Sequence, residues 1–139
     1  MPARRALAPA TRPVDEKITI NIGCVDLGQI DLLVQEGFYA NRTDLIRTAI
    51  RNQLTTHGDA VREVVSRKTL VLGIQHYTAA DLQAVQAAGE QLQIRVLGLA
   101  SIADDVTPKL ALATIASLTV LGALHASPAV KTALRDRMG

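Results

Sequence analysis

Residues 17–22 read Lys17-Ile18-Thr19-Ile20-Asn21-Ile22. Polar and apolar residues alternate without a break, the period-two pattern of a strand with one wet and one buried face. Ile18, Ile20 and Ile22 point one way, and Lys17, Thr19 and Asn21 the other. The next segment, from about Val25 to Glu36, is predicted to be a helix, because Leu27, Ile30, Leu33 and Val34 share a face. Gly37 supplies a left-handed stop. A second helix opens at Asn41-Arg42-Thr43-Asp44. Asn41 suits the N-cap, and Asp44, three residues on, suits the positive helix end. Leu45, Ile46, Ala49, Ile50 and Leu54 form its apolar stripe, Arg47 and Arg51 lie on another face, and Gly58 ends it.

One strand cannot stand alone, and about 43 residues with a single strand cannot close a core. The economical partner is the same strand of a second chain, which gives a two-fold antiparallel ribbon. Such a ribbon sets two copies of Lys17, Thr19 and Asn21 side by side on one solvent face. It fits the major groove of double-stranded DNA, where Lys and Asn address guanine and adenine edges and Thr offers its hydroxyl or methyl.

Lys17–Leu54 thus resembles a ribbon-helix-helix DNA-binding unit of the CopG, Arc and MetJ kind. The strand and the run Gly37-Phe-Tyr-Ala-Asn-Arg-Thr-Asp-Leu-Ile-Arg-Thr-Ala-Ile-Arg51 carry the resemblance, which covers roughly a third of the chain. It implies an obligate intertwined homodimer whose outward strand residues Lys17, Thr19 and Asn21 contact bases. It also implies a phosphate clamp at the second helix, through backbone N–H groups and Asn41, Arg42 and Thr43. A helix N-terminus is an anion site whatever the family. The competing reading is a solvated strand face for Lys17, Thr19 and Asn21 and a plain surface role for Arg42. Arg47 and Arg51 are read as structural, pairing with Asp44, Asp31 or Glu36 on either subunit.

Composition bounds the remaining possibilities. The chain has 139 residues, one average domain or two small ones. Aromatics make up 2%, so the core is aliphatic and a face of stacked aromatics for single-stranded nucleic acid is excluded. One Cys excludes an internal disulfide framework, a four-thiolate zinc site and an iron–sulfur cluster. No apolar run is long enough to span a membrane or serve as a secretion signal, and the expected location is cytoplasmic, at the nucleoid. The net charge of +2 lies wholly within residues 1–68. A polyanion would therefore meet the N-terminal half.

The expected organisation has four parts. Residues 1–14, with three Pro and three Arg, form a flexible basic arm that either touches DNA backbone or stays disordered. Residues 15–57 are the DNA-binding unit. Residues 58–68 are a linker, in which Asp59 to Ser66 forms a short helix or an extra strand. Residues 69–139 are a strand–helix repeat that self-associates.

That repeat shows in Thr69-Leu-Val-Leu-Gly-Ile74, Ile94-Arg-Val-Leu-Gly-Leu99 and Leu118-Thr-Val-Leu-Gly-Ala123. Each is followed by a helix-like stretch: Asp81–Ala88, Thr107–Ile115 and Ser127–Leu134. The last two open Ser/Thr-Pro, a helix start. The period of about 24 residues is that of a short solenoid, and strands apolar on both faces suit a parallel sheet covered by helices. The fold class is therefore α+β: a ribbon-helix-helix unit followed by a small α/β domain of three strand–helix repeats, parallel and solenoid-like. A small open α/β fold is the alternative. Sheet edges and an uncovered face invite pairing with another copy. A stabilising cap or a ligand pocket between strand ends and helices are the other readings of this half.

Candidate chemistry is sparse. His57, His76, His125 and Cys24 are the only soft metal ligands. Nickel-responsive ribbon-helix-helix repressors carry closely spaced His plus a Cys in their sensory half; here residues 69–139 hold two isolated His and no Cys, so no metal and no cofactor are expected. His76 and His125 read as turn or surface residues, and Asp104-Asp105 as a helix cap. No nucleophile set, phosphate loop or carboxylate pair appears, and no enzyme is expected. The expected function is a sequence-specific regulator of transcription, a repressor, that binds double-stranded DNA as a homodimer, with tetramers or larger assemblies left open. The alternatives are an antitoxin or plasmid-partition protein, or a DNA-anchored assembly scaffold.

Overall fold

The computed structural model describes residues 14–139. The expected basic arm, Val14 apart, lies outside the described residues. The chain divides into two compact units, one over residues 15–64 and the other beginning at residue 65.

In the first unit, residues 15–23 belong to no helix or strand of the single chain. Helix α1 spans Cys24–Gln35 and α2 spans Arg42–Thr56. The stop between them is the expected one. Gly37 has φ +87°, its N–H donates to Val34 O (3.1 Å), and the Phe38 N–H donates to Leu33 O (2.9 Å). These two bonds, around a left-handed residue, satisfy the last carbonyls of α1. Helix α2 is capped by Asn41, whose side chain accepts from the Asp44 N–H at 2.8 Å; Asp44 in turn accepts from the Ala40 N–H at 3.0 Å. The segment after α2, expected as a linker with a short helix or an extra strand, is helix α3, Gly58–Arg67. His57 forms the joint, as C-cap of α2.

The second unit alternates strand and helix: β1 Val71–Tyr77, α4 Ala79–Ala87, β2 Leu92–Ile102, α5 Pro108–Thr114, β3 Ile115–His125, α6 Pro128–Leu134. A 3-10 turn, Arg135–Arg137, follows. The strands form one parallel sheet in the order β1-β2-β3. The Val-Leu-Gly repeat of the sequence is a register in space: Val71, Val96 and Val120 are neighbours, as are Leu72, Leu97 and Leu121, and Gly73, Gly98 and Gly122. Each helix starts on a side-chain cap. Thr78 and Asp81 make a reciprocal capping box for α4, while Thr107 and Ser127 cap α5 and α6 ahead of a proline in the first turn. The acidic pair does reach a helix: Asp105 accepts from the Ala79 N–H at 3.1 Å, at the start of α4 rather than of the helix that follows it in sequence.

The core joins Leu82 of α4, Leu110 and Ala111 of α5, and Val130 and Leu134 of α6 to Ile94, Val96, Ala100, Ile102 and Leu118 of the sheet. All three helices thus cover one sheet face. Thr114, the one buried polar residue among those described, is satisfied by donating to Leu110 O at 2.8 Å. The C-terminal residues close part of the outer edge of β3: Leu118 bridges Met138, and the Gly139 N–H donates to Leu118 O.

The glycine row fixes how closely the strands approach. A side chain on Gly98 would run into the carbonyl oxygen of Gly73, and one on Gly122 into that of Gly98, whereas Gly73 faces open space. All three have strongly positive φ, between +122° and +139°. Gly98→Ala and Gly122→Ala are therefore expected to cost about 3 kcal/mol or more, and Gly73→Ala only the backbone strain of about 1–3 kcal/mol. Urea unfolding followed by circular dichroism measures the difference; equal losses at all three positions contradict it.

Candidate nucleic-acid interface

The polar strand residues and the α2 N-terminus meet different fates in the single chain. Lys17, Thr19 and Asn21 are exposed, as expected of a reading face. So, however, are their apolar neighbours: Ile18 is 76% exposed, Ile20 71% and Ile22 44%. Both sides of the segment face water, and no ladder orients either side. In a single chain these three residues do not form a site.

The α2 N-terminus is ordered by its own caps. Because Asn41 is spent on the Asp44 N–H, the N–H groups of Arg42 and Thr43 have no acceptor among the described residues. Two backbone donors at the positive end of a 15-residue helix make a site for an anionic oxygen. Asp44 brings a negative charge to the same turn, which tempers the attraction.

Arg42 is held by a residue that spacing alone did not single out for it. Its Nε and Nη2 donate to the two carboxylate oxygens of Asp31 on α1, at 2.7 and 2.8 Å. This two-pronged ion pair ties α2 to α1 and sets the guanidinium at the helix start, while Nη1 keeps its donors unspent among the described residues. Arg47 and Arg51, read as partners for Asp31, Asp44 or Glu36 on either subunit, form no salt bridge within the single chain among the described residues. The reason is geometric: Asp31 and Arg42 are 11 residues apart, so their meeting depends on how α1 packs on α2 and not on any helical period.

The hydrogen bonds from Arg42 hold the Asp31 carboxyl below the usual carboxylate range, and Asp31 in turn raises Arg42. Asp81 is likewise lowered, by the backbone and hydroxyl bonds of Thr78 in the capping box.

The remaining candidates do not gather into a second centre. His76 and His125 lie within β1 and β3, at their C-terminal ends, not in turns. His76 Nδ1 is 3.1 Å from Ser101 Oγ on the middle strand. Cys24 is free and exposed at the start of α1. Among the described residues no group of three His, Cys, Asp or Glu is placed to hold a metal ion, and no helix is long and apolar enough to cross a membrane.

The chain matches the ribbon-helix-helix transcriptional regulator family over residues 13–131, and it belongs to that family. The match extends through the strand–helix repeats, well past the third of the chain in which the sequence resemblance was seen. DNA binding and regulation of transcription come with the family. No curated protein and no solved structure matches the chain.

The Arg42–Asp31 pair gives a pH signature. A carboxyl more acidic in the folded state stabilises above its ordinary pKa of 3.8, and that contribution disappears as pH falls through the lowered folded value. Wild type is therefore expected to melt at higher temperature than Asp31→Asn at neutral pH, with the two melting temperatures converging in acid. A gap that persists or widens in acid contradicts this role of the pair.

Proposed function

We propose that this protein is a sequence-specific repressor that binds duplex DNA as a homodimer and inserts a two-stranded ribbon, residues 17–22 of each chain, into the major groove. The observation that carries the reading is the missing core of the first unit: none of its described side chains is buried. Aliphatic residues at alternate positions of 17–22 and on both helices are left in water. Ile46 is 40% exposed, Ile50 48% and Leu54 60%. A second chain that pairs through residues 17–22 buries Ile18, Ile20 and Ile22 against the helices and turns Lys17, Thr19 and Asn21 outward together. The unspent N–H groups of Arg42 and Thr43, with Arg42 Nη1, then grip a backbone phosphate and fix the depth of the ribbon. Residues 15–57 act as the DNA-binding domain, α3 leads out of it, and residues 69–139 self-associate.

Unbiased selection of bound duplexes by the full-length protein supplies the operator and the assay. Asn21→Ala is expected to reduce discrimination between operator and random duplex by about 1–3 kcal/mol while the dimer persists. Arg42→Ala should weaken all sequences alike and reduce the slope of log affinity against log salt by about one. Unchanged discrimination in Asn21→Ala refutes groove reading by this face.

A further inference from the structure

A parallel sheet is ordinarily covered on both faces, because its strands are apolar on both. In residues 69–139 the helices occupy only one. The other face is made by the residues between the core positions, and the strand register sorts these into rows. Leu72, Leu97 and Leu121 form one row; Ile74, Leu99 and Ala123 form the next. Both are wholly aliphatic. At one end of them stand Arg95 and Thr119, and at the other His76, Ser101 and His125. An apolar centre between polar margins is the anatomy of an interface. Leu72 is 68% exposed, Ile74 59% and Leu121 51%.

We propose that this sheet face seats the same face of a second copy of the chain. Three properties select that occupant. The two central rows are uncharged, so identical faces meet without repulsion, whereas a partner recognised by its charge finds no handle there. The relief is uneven: Leu72, Ile74 and Leu121 on the outer strands are more than half exposed, whereas Leu99 on the middle strand, in register between Ile74 and Ala123, is 8% exposed and leaves a trough there. A two-fold-related copy sets its ridges into that trough, at the spacing of about 10 Å usual for packed sheets. Finally, in the one respect that rests on the function proposed above, the ribbon already joins two chains and holds two such faces at an effective concentration of millimolar order. The β3 edge is a poorer route to assembly, since Met138 and Gly139 already occupy part of it.

Sedimentation velocity on the full chain over a range of concentrations tests the proposal. Ile18→Asp with Ile20→Asp disables the ribbon. That chain is expected to remain in concentration-dependent monomer–dimer equilibrium. Adding Leu72→Asp and Leu121→Asp should raise its dissociation constant at least about tenfold, with circular dichroism unchanged because the core lies on the opposite face. The proposal is overturned if the ribbon-disabled chain is already monomeric up to millimolar concentration, or if the face substitutions leave its association unaltered. It is equally overturned if deleting residues 1–13 strengthens that association, since the arm would then be the occupant. The DNA-binding reading has a separate readout. If the ribbon-disabled chain still binds duplex DNA at low salt, the ribbon assignment fails while the sedimentation result stands.

Discussion

Aliphatic side chains that a subunit cannot bury for itself set the terms for this protein. With aromatics at 2% of the chain, the core is built almost wholly from aliphatic residues, and many are needed to offset the entropy of ordering the backbone. The second unit gathers enough of them: Leu82, Ile102, Ile115, Leu118, Val130 and Leu134 are fully buried. The first unit does not. Its helices are well capped and well stopped, yet they enclose nothing, and membership of a DNA-binding family gives that deficit a purpose. In the function proposed above, a unit that is incomplete alone couples folding to assembly, and assembly creates the doubled polar face.

The ion pair between Arg42 and Asp31 acts in the same economy. It is half-exposed and screened by salt, so it contributes little to stability. Its value lies in position. Without Asp31, the guanidinium at the first turn of α2 samples many rotamers; with it, one edge is fixed and the remaining donors are presented beside the open helix N-terminus. The second unit uses backbone contact instead of charge. Three glycines in register let adjacent strands approach where a methyl group would strike a carbonyl, and so lock the 24- to 25-residue repeat of the sequence into a spatial ladder.

Features governed by short-range periodicity and capping were legible in the sequence. Asn41 as N-cap, Gly37 as left-handed stop and the Ser/Thr-Pro starts of α5 and α6 depend on residues within a few positions of one another, and the Val-Leu-Gly repeat shows as an identical triplet recurring along the chain. The segment 58–68 was less so, because Asp59 to Ser66 satisfies both a helical and an extended pattern; the structure makes it helical. Of the two readings of His76 and His125, turn or surface, the turn does not hold: the strands run past their apolar stretch, and hydrogen bonding to the neighbouring strand, not hydropathy, carries them to Tyr77 and His125, while His76 is a surface residue.

The sequence by itself determined the order of the helices and of the three strands of the second unit, the caps and the repeated Val-Leu-Gly triplet, since each is written in the spacing of residues along the chain. Only the tertiary structure decided that Arg42, not Arg47 or Arg51, takes Asp31, that Asp105 caps α4, and that all three helices of the second unit choose the same side of the sheet. Those outcomes depend on how elements pack across 11 to 26 residues of chain, and no period of 2 or 3.6 residues encodes a packing direction.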